Sequence, residues 1–515
     1  MYKLVLIFTF VYLQYVECAK ILGVFIIPSI SHQCVFQPIW KELSLRGHEV
    51  TVLTPNPLKD PTLVNLTEID LEFTYEILRK SNLQDSMTKE QSMLQIINNM
   101  YKLLGDIAEA ELSHPPVQSL IKDKNKKFDV MLVEFLHPAM YALSARFNCP
   151  MIGITSLGTF IVGHDAVGNP SHPGLNPDLL LPFMGSLGFF ERLYSMSFAI
   201  WYRLYYYYYI IPQQDKVARK YISENLPYLG DIERNVSMLF LNVNPIIHPI
   251  RPNVPAIVEL GKMHIQVKKP LPPDLQKELD ASKEGVIYFS LGSNVRSANM
   301  SEELREKVIG ALSELPYKVF WKWEDDYLPN QPKNVITRKW FPQQDVLNHR
   351  NIKVFLTQGG LQSMEEAISS GVPLVGMPFF GDQPLNVMKM VHLGIAKGID
   401  IQEFTKDELK EALIEVAENP KYRNKVKEIS NLLSDVPMTG LEKAVWWTEY
   451  VIRHKGARHL RSPAVDMSIY QYLFLDVIAF VLAVTVLSSF ILYKITVFSF
   501  KLIRKSKTGA KQKTS

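Results

Sequence analysis

The sequence predicts an α/β protein made of two doubly wound domains, followed by one membrane-crossing helix. Three observations predict the two domains. The apolar strand ILGVFIIP runs into Ser31 and His32, a helical stretch at 35–45 and a second strand in RGHEVTVLTP, the β-loop-α-β opening of a doubly wound sheet. The same grammar restarts at residue 285, with apolar strands at 285–291, 319–323 and 353–357 and a helix at 302–315. Between the two, around 270–273, the texture turns proline-rich and charged, which suits a linker.

A chain of 515 residues is long for one domain, and 47% apolar content allows large cores. Net charge is only +4, and no basic stripe with interleaved aromatics runs through the body, which argues against a nucleic-acid partner. The boundaries read as 1–19, 20–265, 266–284, 285–450, 451–469, 470–493 and 494–515.

In chain order, residues 1–19 read as a secretory signal peptide. Lys3 is the positive start, 4–16 the apolar core, and Cys18 and Ala19 the small residues at the cleavage site. The first domain continues after its opening unit with strands at 128–133 and 151–155. The stretch 181–212 is apolar and aromatic, including Tyr205 to Tyr209, yet carries Glu191, Arg192 and Arg203. Those charges disfavour a second crossing. It reads as a core helix with an aromatic face, as a greasy wall for a ligand, or as a helix lying on a membrane surface. Residues 438–451 form a long amphipathic helix. Residues 470–493 are apolar and long enough to span a bilayer, and Lys494, Lys501, Arg504, Lys505, Lys507, Lys511 and Lys513 follow. The positive-inside rule puts that tail in the cytosol and the body in the lumen. Lumenal exposure makes the triplets headed by Asn65, Asn235 and Asn299 glycosylation sites. Of three cysteines, Cys34 and Cys149 remain after cleavage, as a pair or as two free thiols.

The chemistry concentrates at 355–383, FLTQGGLQSMEEAISSGVPLVGMPFFGDQ. Backbone N–H groups at Gly359 and Gly360, and the positive end of the helix that follows, suit a diphosphate. Ser363 adds a hydroxyl, and Glu366 lies about one turn further on, where it accepts from ribose hydroxyls. Asp382 and Gln383 close a second strand at the end where open α/β sheets bind ligands.

These motifs, with WFPQQDVL at 340–347, YFSLGS at 288–293 and MTGLEKAVWWTEYVIRHKGARHL at 438–460, resemble the UDP-glycosyltransferase family, the UDP-glucuronosyltransferase-like enzymes that attach sugars to small lipophilic molecules. The wording is most like the insect, membrane-bound branch, and the resemblance covers nearly the whole chain. It implies the GT-B arrangement: an acceptor-binding domain at 20–265 facing a UDP-sugar-binding domain at 285–450 across a cleft, with the amphipathic helix crossing back onto the first domain. It implies His32 as the base that takes the acceptor's proton, a task imidazole suits near neutral pH. Its orienting carboxylate falls at Glu134, where mammalian relatives carry Asp. Trp340 flanks the uracil, Gln343 contacts base or ribose, Ser293, Gln358, Gly360 and Ser363 hold the diphosphate, Glu366 binds ribose, and Asp382 and Gln383 grip the sugar. Gln358 departs from the His of many relatives and offers a neutral donor in place of a cation. Arg251 resembles a basic position that would meet a uronic acid.

No Asp-x-Asp or zinc-like spacing appears, so no metal and no cofactor are expected. The expected reaction is transfer of a hexose with inversion from a UDP-sugar, UDP-glucose before UDP-glucuronic acid, to a hydroxyl of a small lipophilic acceptor, for detoxification or conjugation. The alternative is a catalytically weak relative that binds lipophiles or regulates a partner. Lys511 and Lys513 resemble a dilysine retrieval signal and imply a type I protein of the endoplasmic reticulum. Homo-oligomers stay open.

Overall fold

The computed structural model describes residues 18–81 and 92–511, with side chains through Arg504. The signal peptide up to residue 17, and Lys513 with the Lys511 side chain in the dilysine-like tail, lie outside the described residues.

The first sheet holds seven parallel strands: β1 (Lys20–Val24), β2 (Glu49–Thr54), β3 (Leu66–Asp70), β4 (Val130–Glu134), β5 (Met151–Thr155), β6 (Met238–Leu241) and β7 (Ile257–Glu259). Their order is β3-β2-β1-β4-β5-β6-β7. The second sheet has six: β8 (Val286–Ser290), β9 (Lys318–Lys322), β10 (Val335–Arg338), β11 (Ile352–Thr357), β12 (Leu374–Gly376) and β13 (Ala396–Gly398), in the order β10-β9-β8-β11-β12-β13. In both sheets the strand order reverses beside the first strand, between β1 and β4 and between β8 and β11. That reversal opens a crevice at the carboxyl ends of the strands. β4, β5, β6 and β8 are buried along their whole length. Such burial is why they read as unbroken apolar runs without alternation.

Six helices build the cavity walls, tie the domains together or leave them: α1 (Ile30–Leu45), α2 (Phe189–Tyr205), α3 (Leu361–Ser369), α4 (Gln383–His392), α5 (Gly440–His454) and α6 (Leu475–Lys511). α1 buries Val35, Phe36, Ile39, Trp40 and Leu43 against the first sheet, where Phe25 stacks with Phe36 and Trp40. α5 packs on α1, β4 and β7, burying Ala444, Val445, Thr448 and Val451. The boundary expected at 450 therefore falls late: from Gly440 onward the chain is already part of the first domain's packing.

Two further expectations shift. The second half of the segment read as a linker, 266–284, forms a helix, Pro273–Ala281, whose Leu275 and Leu279 are buried in the second domain. The stretch 181–212 becomes a long helix only from Phe189. α2 buries Ser195, Phe198, Ala199 and Tyr202, and leaves Phe190 and Leu204 exposed, as is Tyr208 just beyond it. It passes through one π-turn, Tyr206–Ile210, into the helix Ile211–Tyr221. Pro212 lacks an N–H and crowds the preceding turn, and a wider turn relieves both problems. Arg203 makes a two-bonded pair with Asp165 at 2.6 and 2.8 Å, so this charge belongs to the folded domain.

Residues Ser462–Ser515 form a separate unit. A short helix, Ile469–Tyr472, is followed by Phe474, which has φ of 54°, before α6 begins. The apolar span expected at 470–493 thus starts later, at Leu475. Leu475–Arg504 is long and apolar enough to cross a membrane.

Candidate active site

A cavity of about 400 Å³ opens between the carboxyl ends of the two sheets. His32, Ser293, Trp340, Gln343, Gln358, Gly360, Ser363, Glu366, Asp382 and Gln383 all line it. Glu134 and Arg251 do not, for different reasons.

His32 sits in the first turn of α1, its backbone N–H donating to Ser29 O at 3.0 Å. Because β1 and β4 are neighbours in register, the loop after β1 meets the end of β4. There His32 Nδ1 lies 2.7 Å from Glu134 Oε1. Glu134 is fully buried, and its Oε2 accepts from Ile27 N at 3.3 Å. A buried carboxylate acceptor at Nδ1 sets the tautomer: the proton sits on Nδ1, and Nε2 keeps its lone pair. The arrangement is that of an oriented base, with the carboxylate behind the ring. Buried nearby, His137 is pushed down to about 3 by burial, with His32 adding to the effect. It stays neutral across the working range.

On the facing side, β11 runs into Gln358 and Gly359. Gly359 has φ of 86°, and a Cβ there would come within 2.5 Å of Val387, so only glycine makes this turn. The turn delivers Gly360 as the N-cap of α3. Among the described residues no side chain caps that end, so its first N–H groups remain available to the cavity that Gly360, Leu361, Gln362 and Ser363 line. Gln358 is buried; its Oε1 accepts from Thr357 Oγ1 at 3.2 Å, and its Nε2 lies beside Gly292.

Trp340 is 59% exposed and lines the cavity, with Lys322 Nζ 5.5 Å from its ring. An aromatic face held open in this way is a platform for a planar base. Gln343 lines the cavity with its amide already engaged. Its Nε2 donates to Ser363 Oγ at 3.1 Å and to Glu366 Oε2 at 2.6 Å, while its Oε1 accepts from Tyr288 Oη at 3.2 Å. Here it steadies Glu366. Asp382 is the N-cap residue of α4 and accepts from Asn386 Nδ2 at 2.6 Å; burial pushes its carboxyl up. Gln383 Oε1 accepts from Phe379 N at 2.9 Å and Phe380 N at 3.2 Å, which leaves its NH₂ for a ligand.

Arg251 donates to Pro177 O at 2.8 Å and lines a second, smaller cavity of about 80 Å³ with Lys389 and Asn386. Asp382, Leu157 and Leu361 border both cavities. Burial brings the Lys389 ammonium down to about 8. Asn65, Asn235 and Asn299 are all exposed, and Cys34 and Cys149 are free thiols. Among the described residues no His, Cys, Asp and Glu side chains gather into a cation site.

Sequence reasoning missed several participants. Asn294 bridges the domains: its Oδ1 accepts from Ser29 Oγ at 3.2 Å and its Nδ2 donates to Ser31 Oγ at 3.3 Å. Lys322 donates to Gly292 O at 2.9 Å and to Glu324 at 2.8 Å beside Trp340. Gln344 donates to Glu366 Oε1 at 3.1 Å and to His264 O at 3.0 Å. The doubled Glu365-Glu366 was the signal for a second carboxylate, and adjacency to Ser293 was the signal for Asn294.

The comparisons with known proteins agree with one another. A family model described as "UDP-glucoronosyl and UDP-glucosyl transferase" matches residues 20–510. The chain is 34% identical to "UDP-glucosyltransferase 2" of Dactylopius coccus, over 90% of each chain. It is 32% identical to "UDP-glucuronosyltransferase 2B15" of Homo sapiens, over 94% of this chain and 93% of the other. Among solved structures, TcCGT1 in complex with UDP superposes with a TM-score of 0.57 at 15% identity, covering 85% of this chain and 100% of that one. Both sheets match the GT-B glycosyltransferase fold.

Proposed function

The chain belongs to the UDP-glucuronosyl and UDP-glucosyl transferase family, and on that premise we propose that it moves glucose from UDP-glucose, with inversion, to a hydroxyl of a small lipophilic acceptor. The observation that carries this reading is the 2.7 Å contact of His32 with buried Glu134 across the cavity from the uncapped end of α3. His32 Nε2 takes the hydroxyl proton as the oxygen attacks the anomeric carbon, and the bond to UDP breaks with its electron pair. Glu134 stabilises the imidazolium that forms. The charge that develops on the diphosphate meets N–H groups already aimed at it, which costs no reorganisation. Gln358 adds a neutral donor where a cation would hold phosphate more tightly. Trp340 flanks the base, Ser293 and Ser363 add hydroxyls to the phosphates, Glu366 accepts from ribose, and Asp382 with the Gln383 NH₂ grips the sugar. The scheme needs no metal and no cofactor.

UDP-glucuronic acid is the second donor reading, favoured by one observation: Arg251 and Lys389 line the small cavity that meets the large one at Asp382. The lipophilic acceptor suits a chain with one candidate membrane span among its described residues, because such compounds concentrate in bilayers. We place the protein in the endoplasmic reticulum membrane, with a lumenal body glycosylated at Asn65, Asn235 and Asn299, a cytosolic tail, and conjugation or detoxification as its role.

The test is UDP release from membranes holding the protein, with each donor and a panel of phenols, for the native chain and His32→Ala. Release should depend on acceptor, be greater with UDP-glucose, and fall on the order of 10²–10⁴-fold in the variant. Near-normal turnover of His32→Ala would remove the base from the scheme, and a strong preference for the uronic donor would replace glucose.

A further inference from the structure

The segment joining the two sheets runs along the nucleotide side of the second domain and is tied there by its backbone. Gln266 N donates to Gln344 Oε1 at 3.0 Å and Lys269 N to Asp345 Oδ1 at 2.7 Å. One side chain of this strap turns inward. His264 is 1% exposed, and its ring lies between two consecutive carboxylates of α3. Nε2 is 3.2 Å from Gln362 O and 3.4 Å from Glu366 Oε1, and Nδ1 is 3.6 Å from Glu365 Oε2 with no hydrogen-bond partner among the described residues.

The two carboxylates face opposite ways. Glu366 borders the cavity. Glu365 is fully buried and reaches the first domain, where Asn242 Nδ2 donates to its Oε2 at 3.3 Å and Lys262 N to its Oε1 at 3.1 Å. A ring lodged between them touches both the nucleotide end and the domain junction.

The geometry points to His264 as a positioning residue for Glu366: as an imidazolium it fixes the ribose-accepting carboxylate and, through Glu365, couples donor binding to the seating of the first domain on the second. The inference rests on the reading of Glu366 as the ribose contact. Glu366 already accepts from Gln343 and Gln344. A cation on its remaining side holds it still, with lone pairs left for hydroxyls.

The charge balance supports a proton on His264. Burial disfavours it, but Glu366 and Glu365, with the Gln362 carbonyl, outweigh burial, and the net direction is upward from 6.5. The other titratable groups around the pair are Lys262 on the strap, the Cys34 thiol of α1 and Tyr288 of β8. Burial pulls the lysine down and pushes the thiol and the phenol up. The thiol and the phenol thus stay neutral through the range in which imidazole titrates. Since the folded value is raised, the hold on Glu366 is complete at low pH and is lost as pH climbs through that raised value.

The experiment uses the full chain in membranes and reads UDP affinity, donor KM and kcat between about pH 6 and 9. Native protein should show donor KM rising about tenfold toward the alkaline end with no parallel fall in kcat, the size of one charge-assisted hydrogen bond. His264→Gln should start about tenfold high and stay flat with pH. Glu365→Gln removes one of the two carboxylates that keep the proton on, so its rise in KM should begin at lower pH. Glu366→Gln serves as the reference: unchanged UDP affinity there removes the ribose reading itself. If Glu366→Gln weakens UDP binding while His264→Gln keeps the native KM and its pH dependence, the positioning role is wrong. It is equally wrong if His264→Gln lowers kcat without raising KM, or if Glu365→Gln leaves the pH of the rise unmoved.

Discussion

Glu134 is the residue whose side-chain length matters most, since it is the buried carboxylate behind the His32 ring. The longer side chain is what places Oε1 2.7 Å from His32 Nδ1 while Oε2 reaches back to Ile27 N. Glu134→Asp would withdraw the carboxylate by about 1.5 Å. That opens the contact beyond hydrogen-bonding distance. We expect kcat to fall roughly 10²-fold, with donor KM unchanged because Glu134 does not line the cavity. Steady-state kinetics at saturating donor checks this, and full activity would mean that the backbone of β4 closes the gap. His32, Asp382 and Gln383 were legible because each follows a strand beside a recognisable motif. His264 was not, because what it does depends on α3, brought from the other domain, and Asn294 had only its place beside Ser293 to signal it. Gln343 was legible as a site residue, yet its amide serves Glu366, and no spacing reveals which neighbour an amide will choose.

At the level of elements, the helix that returns to the first domain depends on one close approach. A Cβ on Gly440, in the first turn of α5, would meet Gly261 O at 2.5 Å and Leu260 O at 2.6 Å, both backbone atoms that no rotamer can move. Gly440→Ala must lift α5 from the segment after β7. We expect destabilisation of about 1–3 kcal/mol. Urea unfolding with and without the substitution measures it, and an unchanged midpoint would show that the helix is not held there. The strands were readable almost to the residue: 151–155 matches β5, and 319–323 differs from β9 by one position. A fully buried parallel strand prints an apolar run that little else imitates. The helix Pro273–Ala281 was hidden by the prolines that start it, since proline signals a linker and a first helical turn alike. The π-turn at Tyr206–Ile210 left no trace in the aromatic periodicity. Only Pro212 hinted at it, and proline at that place is equally consistent with a helix end.

For the whole molecule, the question is which parts lie on which side of a membrane. α6 runs without a break from Leu475 to Lys511. At about 1.5 Å per residue its apolar part up to Tyr493 is roughly 28 Å long, close to the hydrocarbon thickness of a bilayer. Lys494 is the first basic residue beyond it, followed by Lys501 and Arg504. Asp476 marks the other end. Basic residues gather on the cytosolic side of membrane helices as a rule, and on the proposed reading that puts the tail in the cytosol. The last strand of the second sheet ends at Gly398, and the last helix packed on the first domain ends at His454, so everything that builds the cavity precedes the span. With sealed microsomes, protease added outside should therefore remove only the tail after the span and leave a fragment holding both sheets, with UDP-sugar transfer intact once the vesicles are opened. Detergent added before the protease should open the body to digestion as well. Digestion of the body in sealed vesicles would reverse the orientation, and a tail that survives in them would place the basic segment inside. Reversal would also move Asn65, Asn235 and Asn299 to a compartment where they carry no glycan.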